Sequence, residues 1–466
     1  MKKFFGIAAG ALLTAGVLMT GCGAKTAAPA DGGSAAGTEA GAAAEAGTQA
    51  EQAASGEKIK LTYWSNQRHD MEYVQKKIDE FNATNDKNIE VSYEAMTENY
   101  DNNLELAFQS KQAPDVFRAK SEIAPYASKG MLTPIDEFLT DEDRARYGDT
   151  LGIQNINVYK GQTYTVPQFG NTFRLIYNKD VFRKAGLDPE KPPKTMAEMR
   201  EYAKIITEKL SKDGVYGFAM NLKNGYSAMY RSVDEVARLS DMLYYDYKTG
   251  KFDFDRYSKV VQTFADIYND GSFFPGVESL DIDPLRAQFA LGNIGMYISG
   301  YWEVAVYDSQ FPTEQDWYAC QVPTMDGVKG VNAINSAGRS FVMSSQCQHP
   351  EEAWEFIKFM TSDDYMIGYH ENGYGIIVVP SVAAKAKNSS QHAAECFSLT
   401  DTDTIVPLTP ELAGMVIEGQ TYADAYAAVI MGQADLDETT KKIQESYSKA
   451  LEDALASGSI EPIVEN

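Results

Sequence analysis

Cysteine is scarce in this sequence, with four in 466 residues. Cys22 stands near the N-terminus, which leaves Cys320, Cys347 and Cys396, odd in number and widely spaced. That pattern excludes a disulfide framework and a structural zinc site. Buried free thiols are the simplest reading of the three, with one pairing left open. Positive charge is also short. Lysine and arginine total 42 against 66 aspartates and glutamates, a formal net charge of −24. A nucleic-acid binder needs a basic face, and so does a protein lying flat on anionic lipid. Acidity on this scale serves solubility. Catalytic signatures are missing too: there is no Gly-x-Ser-x-Gly elbow, no His-Glu-x-x-His and no phosphate loop. A glycosidase needs two placed carboxylates, but with 66 acidic residues carboxylate pairs are uninformative. Asp401-Thr402-Asp403 opens like a calcium loop. It lacks the glycine and the glutamate that such a loop places further on. No metal and no cofactor is expected, and no enzymatic activity.

Long apolar runs are also few. The one that stands out is N-terminal, MKKFFGIAAGALLTAGVLMTGC, with two lysines, an apolar stretch and small residues. This is the layout of a secretory signal, and the run is too short for a good spanning helix. Met19-Thr20-Gly21-Cys22 resembles the bacterial lipobox, with Met where Leu is usual. Residues 1–21 are therefore expected to be a lipoprotein signal peptide and Cys22 the diacylated residue that anchors the chain. Cleavage removes Lys2 and Lys3 and leaves the body more acidic still. Residues 22–57 carry no large apolar side chain and read as a disordered linker. As a flexible coil it would span about 32 Å, and roughly 110–120 Å when stretched. A tether of that reach holds a soluble body off a membrane, outside the cytoplasm.

Regular patterning begins at Lys58. IKLTYW alternates as a strand, and Met71, Val74, Ile78 and Phe81 fall at helical spacing. IEVSYEA reads as a strand, Asn99–Lys111 as a helix and PDVFRA as a strand. Strand and helix in alternation imply right-handed crossovers and a largely parallel sheet. Ligands of such sheets sit beyond the carboxyl ends of the strands. TYTVPQF, FRLIYN, GVYGFAM and GNIGMYI continue the strand pattern. Thr195-Met196-Ala197-Glu198 is a capping box. Asp283-Pro284 is predicted to start a short helix that Gly292 ends. HPEEAWEFIKFMTS and the C-terminal third are helical and amphipathic.

One run then carries a resemblance: KGQTYTVPQFGNTFRLIYNKDVFRKAGLDPEKPPKTMAEMREYAKIIT. With APDVF, KGMLTPIDEF, FALGNIGMYISGYW, NSAGRSFVM and HPEEAWEFIKFM in order, it resembles the extracellular solute-binding proteins of ABC importers, in the class of maltose- and multiple-sugar-binding proteins. The likeness runs from about Lys58 to Leu455. It implies an α/β fold of two hinged lobes, each with a central, mainly parallel sheet flanked by helices. Lobe one would be 58–168 plus 336–373, and lobe two 169–335 plus 374–466. The implied partners are a solute in the cleft and the two transmembrane subunits of a permease. The body is expected to be a monomer.

A sugar offers hydroxyls and apolar C–H faces, so its site needs aromatic platforms and planar polar groups. In SGYWE, Trp302 is expected to stack on sugar, Tyr301 to pack and Glu303 to accept a hydroxyl. Trp64, Asn66 and Arg68 follow the first strand, and Arg118 ends the third, where relatives place an aromatic platform. The resemblance adds Asn171 in the first crossing segment, Tyr226, Arg339 in the second crossing and Tyr374 near the third. Tyr422 and Tyr426 read as helix core. The expected function is a lipid-anchored receptor that delivers a carbohydrate, an oligosaccharide by preference, to its importer. One alternative is a non-sugar or anionic solute on the same fold, favoured if Arg68, Arg118 and Arg339 all face the cleft. The other is a secreted carbohydrate-active enzyme.

Overall fold

The first strand, β1 (Ile59–Ser65), buries Leu61, Tyr63 and Ser65 and leaves Lys60 and Thr62 exposed. These come from a computed structural model, which describes residues 58–119, 122–326, 333–336, 341–398, 404–405 and 408–464. The signal segment, Cys22, the linker, Arg339 and Asp401–Asp403 lie outside the described residues. Helix α1 (Met71–Thr84) buries Val74, Ile78 and Phe81, the predicted stripe. It leads to β2 (Ile89–Ala95), which pairs parallel with β1 from Ile59↔Ile89 to Ser65↔Ala95. Helix α2 (Tyr100–Gln109) then returns to β3 (Val116–Arg118), parallel to the other edge of β1. The fourth strand of this sheet, Phe341–Met343, comes from far along the chain and pairs antiparallel with β3. The core beneath unites Leu61, Val74 and Ile78 with Phe341, Phe356, Met360 and Tyr369. Ile377, Val379 and Val382 pack there too.

Among the described residues the second sheet has seven strands. At its centre is β4 (Phe169–Asn178), with all ten positions buried. Helix α3 (Ile282–Ala290) precedes β5 (Ile294–Gly300), which lies beside β4. Here the expectation of a mainly parallel sheet is corrected. β4 runs antiparallel to β5, to Trp317–Gln321, to Ala333–Ser336 and to Ile376–Ile377. Thr195 and Glu198 form the capping box that opens the helix Met196–Leu210. α3 starts at Ile282, capped by Asp281, so Pro284 is its third residue rather than its first. Asp283 is thus held in the first turn, where a negative charge faces the helix dipole favourably. Tyr422 and Tyr426 are core residues.

Candidate functional site

The strand β5 ends in Ser299-Gly300, and the next two aromatics diverge. Tyr301 is buried, donates its hydroxyl to the His370 carbonyl at 3.3 Å and lies parallel to the His370 ring. It therefore ties the second sheet to the helix Asp363–Glu371 of the first lobe. Trp302 turns the other way and folds back over Gly300, with 8 % of its surface exposed. Its indole meets Phe173 edge-on at 5.3 Å. Phe173 meets Tyr230 edge-on at 5.3 Å, and Tyr230 is stacked parallel with Tyr226 at 6.0 Å. These four rings form one continuous array. Its outer member, Tyr226, is 50 % exposed. Burial of its hydroxyl, with the Glu122 carboxylate of the first lobe nearby, holds that group well above the ordinary phenol range.

Beneath Trp302 lies an ion network. The indole Nε1–H donates to Glu303 Oε1 at 2.9 Å. Arg286 donates to the same carboxylate at 2.7 and 2.9 Å, and Ser299 Oγ donates at 2.7 Å. Arg231 stands 4.9 Å over the indole ring and donates to Ser299 Oγ at 2.9 Å. Burial favours the neutral form of Glu303, but Arg286 outweighs it and holds the carboxyl below its usual range. Burial and the neighbouring Arg286 bring Arg231 down to about 10, which leaves it charged at neutral pH. Glu303 is fully buried and its carboxylate is occupied by these donors. In this arrangement Glu303, expected to accept a solute hydroxyl, accepts from the Trp302 indole and orients it.

Arg118, at the end of β3, is also buried. It is 2 % exposed and its Nη1 donates to Asp70 at 2.8 Å, while Nη2 donates to the Tyr369 hydroxyl at 3.3 Å. Burial raises Asp70, but Arg118 overcomes it and holds the carboxyl at about 2. The side chain is held by Asp70 and Tyr369, both on the first lobe. Arg68 is exposed in the turn after β1 and pairs with Asp283 of α3 at 3.1 Å. Asn66 and Trp64 are half-buried beside it. Tyr374 is half-buried among Tyr73, Tyr369 and His69. Asn171 lies on β4 at the crossing, buried, with Oδ1 lacking a hydrogen-bond partner.

Sequence reasoning missed three groups here. Gln168, just before β4, is buried with neither amide atom partnered. Tyr230 and Phe173 complete the array, a role visible only when β4 and the helical run 225–239 are brought together. Such unpaired buried amides can serve a ligand's hydroxyls, since each left unmade costs roughly 1–3 kcal/mol. Among the described residues, no group of three or more His, Cys, Asp or Glu is placed to hold a metal ion. Cys320, Cys347 and Cys396 are free thiols. Burial pushes the Cys320 and Cys347 thiols up to about 12.

Two sheet-centred lobes, joined by crossing strands that carry unpaired amides and an aromatic array, define the class of two-lobed binding proteins. The chain belongs to the family of bacterial extracellular solute-binding proteins, whose model matches residues 64–367. The diacetylchitobiose-binding protein DasA of Streptomyces coelicolor is 26 % identical over 366 residues, 75 % of this chain and 79 % of that one. A maltotriose-binding protein of Pyrococcus abyssi is 24 % identical over 314 residues, 66 % of this chain and 64 % of that one. The GacH receptor of Streptomyces glaucescens, solved unliganded and with acarbose, superposes with a TM-score of 0.70. It is 20 % identical and covers 85 % of this chain and 100 % of its own.

Proposed function

We propose that this protein is the lipid-anchored receptor of an ABC importer and binds a neutral carbohydrate, an oligosaccharide by preference, between its lobes. The observation that carries the reading is the array Tyr226–Tyr230–Phe173–Trp302, with the unpaired amides of Asn171 and Gln168 at the crossing. Flat apolar surface beside planar hydrogen-bonding groups is what sugar faces and hydroxyls require. Relatives named for maltotriose and diacetylchitobiose support it. The reading for an anionic solute weakens, because Arg118 and Arg68 already face Asp70 and Asp283. In this reading Tyr226 and Trp302 offer rings, and Asn66, Asn171 and Tyr374 offer polar contacts. Cys22 carries the lipid, and a permease receives the solute from the closed form. Titration calorimetry with maltotriose, diacetylchitobiose and sn-glycerol 3-phosphate tests the ligand class. Binding of a neutral sugar is expected. Binding of the phosphate alone would overturn the carbohydrate reading, and hydrolysis of either glycan would overturn the receptor. A Cys22→Ser chain is expected to lose membrane association.

A further inference from the structure

Asp283 has two carboxylate oxygens and divides them between the lobes. Oδ2 accepts from Arg68 Nη1 at 3.1 Å, and Oδ1 accepts from Arg286 Nη1 at 3.0 Å. Arg68 stands in the turn between β1 and α1, on the first lobe. Arg286 is one turn further along α3, on the second, and grips Glu303 in the network under Trp302. A line of charge-assisted hydrogen bonds therefore runs from the first lobe to the indole: Arg68, Asp283, Arg286, Glu303, Trp302.

We infer that Asp283 is a coupling residue, through which closure of the lobes is felt at Trp302. The Arg68 side chain is 60 % exposed, whereas Arg286 and Glu303 are buried. The link that spans the lobes is thus the weak, screened one, and the links within the second lobe are the strong ones. That is the order a reversible latch needs. An exposed pair shifts an equilibrium by no more than about fivefold, so it can bias closure without locking it. When Arg68 departs, Asp283 turns its full charge on Arg286, which then shares itself differently between Asp283 and Glu303. Glu303 is the acceptor that orients the indole, so the ring is released or held according to the state of the cleft. Arg68 acts here as a lobe-to-lobe contact, a role that does not depend on which solute binds.

Hydrogen exchange read by mass spectrometry on the ligand-free full chain tests this, comparing wild type with Arg68→Gln, Asp283→Asn and the double variant. The segment 299–306 lies on the lobe opposite Arg68. Arg68→Gln is expected to speed its exchange by about two- to fivefold. Asp283→Asn should do at least as much, and the double variant no more than the larger single one. Raising salt to about 1 M should bring wild type toward Arg68→Gln, because that pair is screened. Unchanged exchange of 299–306 in Arg68→Gln would overturn the inference. So would effects that simply add, or faster exchange confined to 284–290 in Asp283→Asn, which would make Asp283 only a first-turn acid. Acrylamide quenching, with Trp302→Phe identifying the signal, gives a second readout of the indole. No sugar enters the comparison, so failure of the carbohydrate reading leaves its outcome intact.

Discussion

Gly300 and Trp302 share one space: a β-carbon on Gly300 would lie 2.6 Å from the indole ring. The glycine before the aromatic pair is there for room. It lets the indole fold back over the strand end and reach Phe173. Gly300→Ala should therefore displace Trp302. We expect a loss of about 1–3 kcal/mol in stability from overpacking. Chemical unfolding gives that figure, and the fluorescence of Trp302 should change with it. An alanine variant with wild-type stability and fluorescence would refute the packing account.

Tyr226 is the cleaner probe of the platform, because Trp302 is buried and its removal would also cost stability. The Tyr226 ring is half-exposed and stacks on Tyr230, and most single substitutions cost about 0.5–3 kcal/mol, so a cost at the low end of that range is expected. Tyr226→Ala should then lower stability by about 1 kcal/mol or less. A stacked aromatic in a desolvated site contributes on the order of 1–3 kcal/mol. Sugar affinity measured by calorimetry should fall by that amount, and an unchanged affinity would remove Tyr226 from the site.

Glu303→Gln keeps shape but removes the charge that faces Arg286 and Arg231. Removing one partner of a buried pair costs about 3–5 kcal/mol, since the other charge stays uncompensated. Unfolding should show a loss of that order. Glu303→Gln with intact stability would mean that the two arginines find other partners.

Two acids give opposite pH dependences. Asp70 is held near 2 against an ordinary 3.8, so it stabilises the fold above about pH 4 and loses that contribution as pH falls toward 2. Glu411 behaves the other way. Burial pushes it up to about 7 from an ordinary 4.5, outweighing the Tyr244 and Thr409 hydroxyls that favour its charged form. The folded state then holds the proton longer than the unfolded one, so stability should fall as pH rises from about 4.5 to 7. Unfolding curves of Glu411→Gln should be flatter across that window, and those of Asp70→Asn flatter below pH 4. A Glu411→Gln curve that matched wild type would show that the group titrates normally.

Much of the first lobe was legible because its elements are local. Val74, Ile78 and Phe81 recur at helical spacing; in the second lobe, Thr195 and Glu198 likewise meet across a single turn. The reversed direction of β4 was not legible, since strand alternation is the same in either direction. The packing of Ile377 and Val382 with Leu61 was hidden for a related reason: some 300 residues separate partners that only folding brings together.

The site divides along the same line. Residue types and their order were enough to place Trp302, Tyr226 and Asn171 together as candidates, and composition alone excluded nucleic acid. Local sequence carries backbone propensity, periodicity and motif order, and those are read from neighbours. It does not carry which charge meets which. Arg118 and Arg68 look alike in the sequence, yet one is sealed against Asp70 and the other reaches out to Asp283. Glu303, read as a candidate contact, accepts from Trp302, Arg286 and Ser299. Only the tertiary structure decided these, because the pairing of a charge depends on burial and on partners distant in the chain.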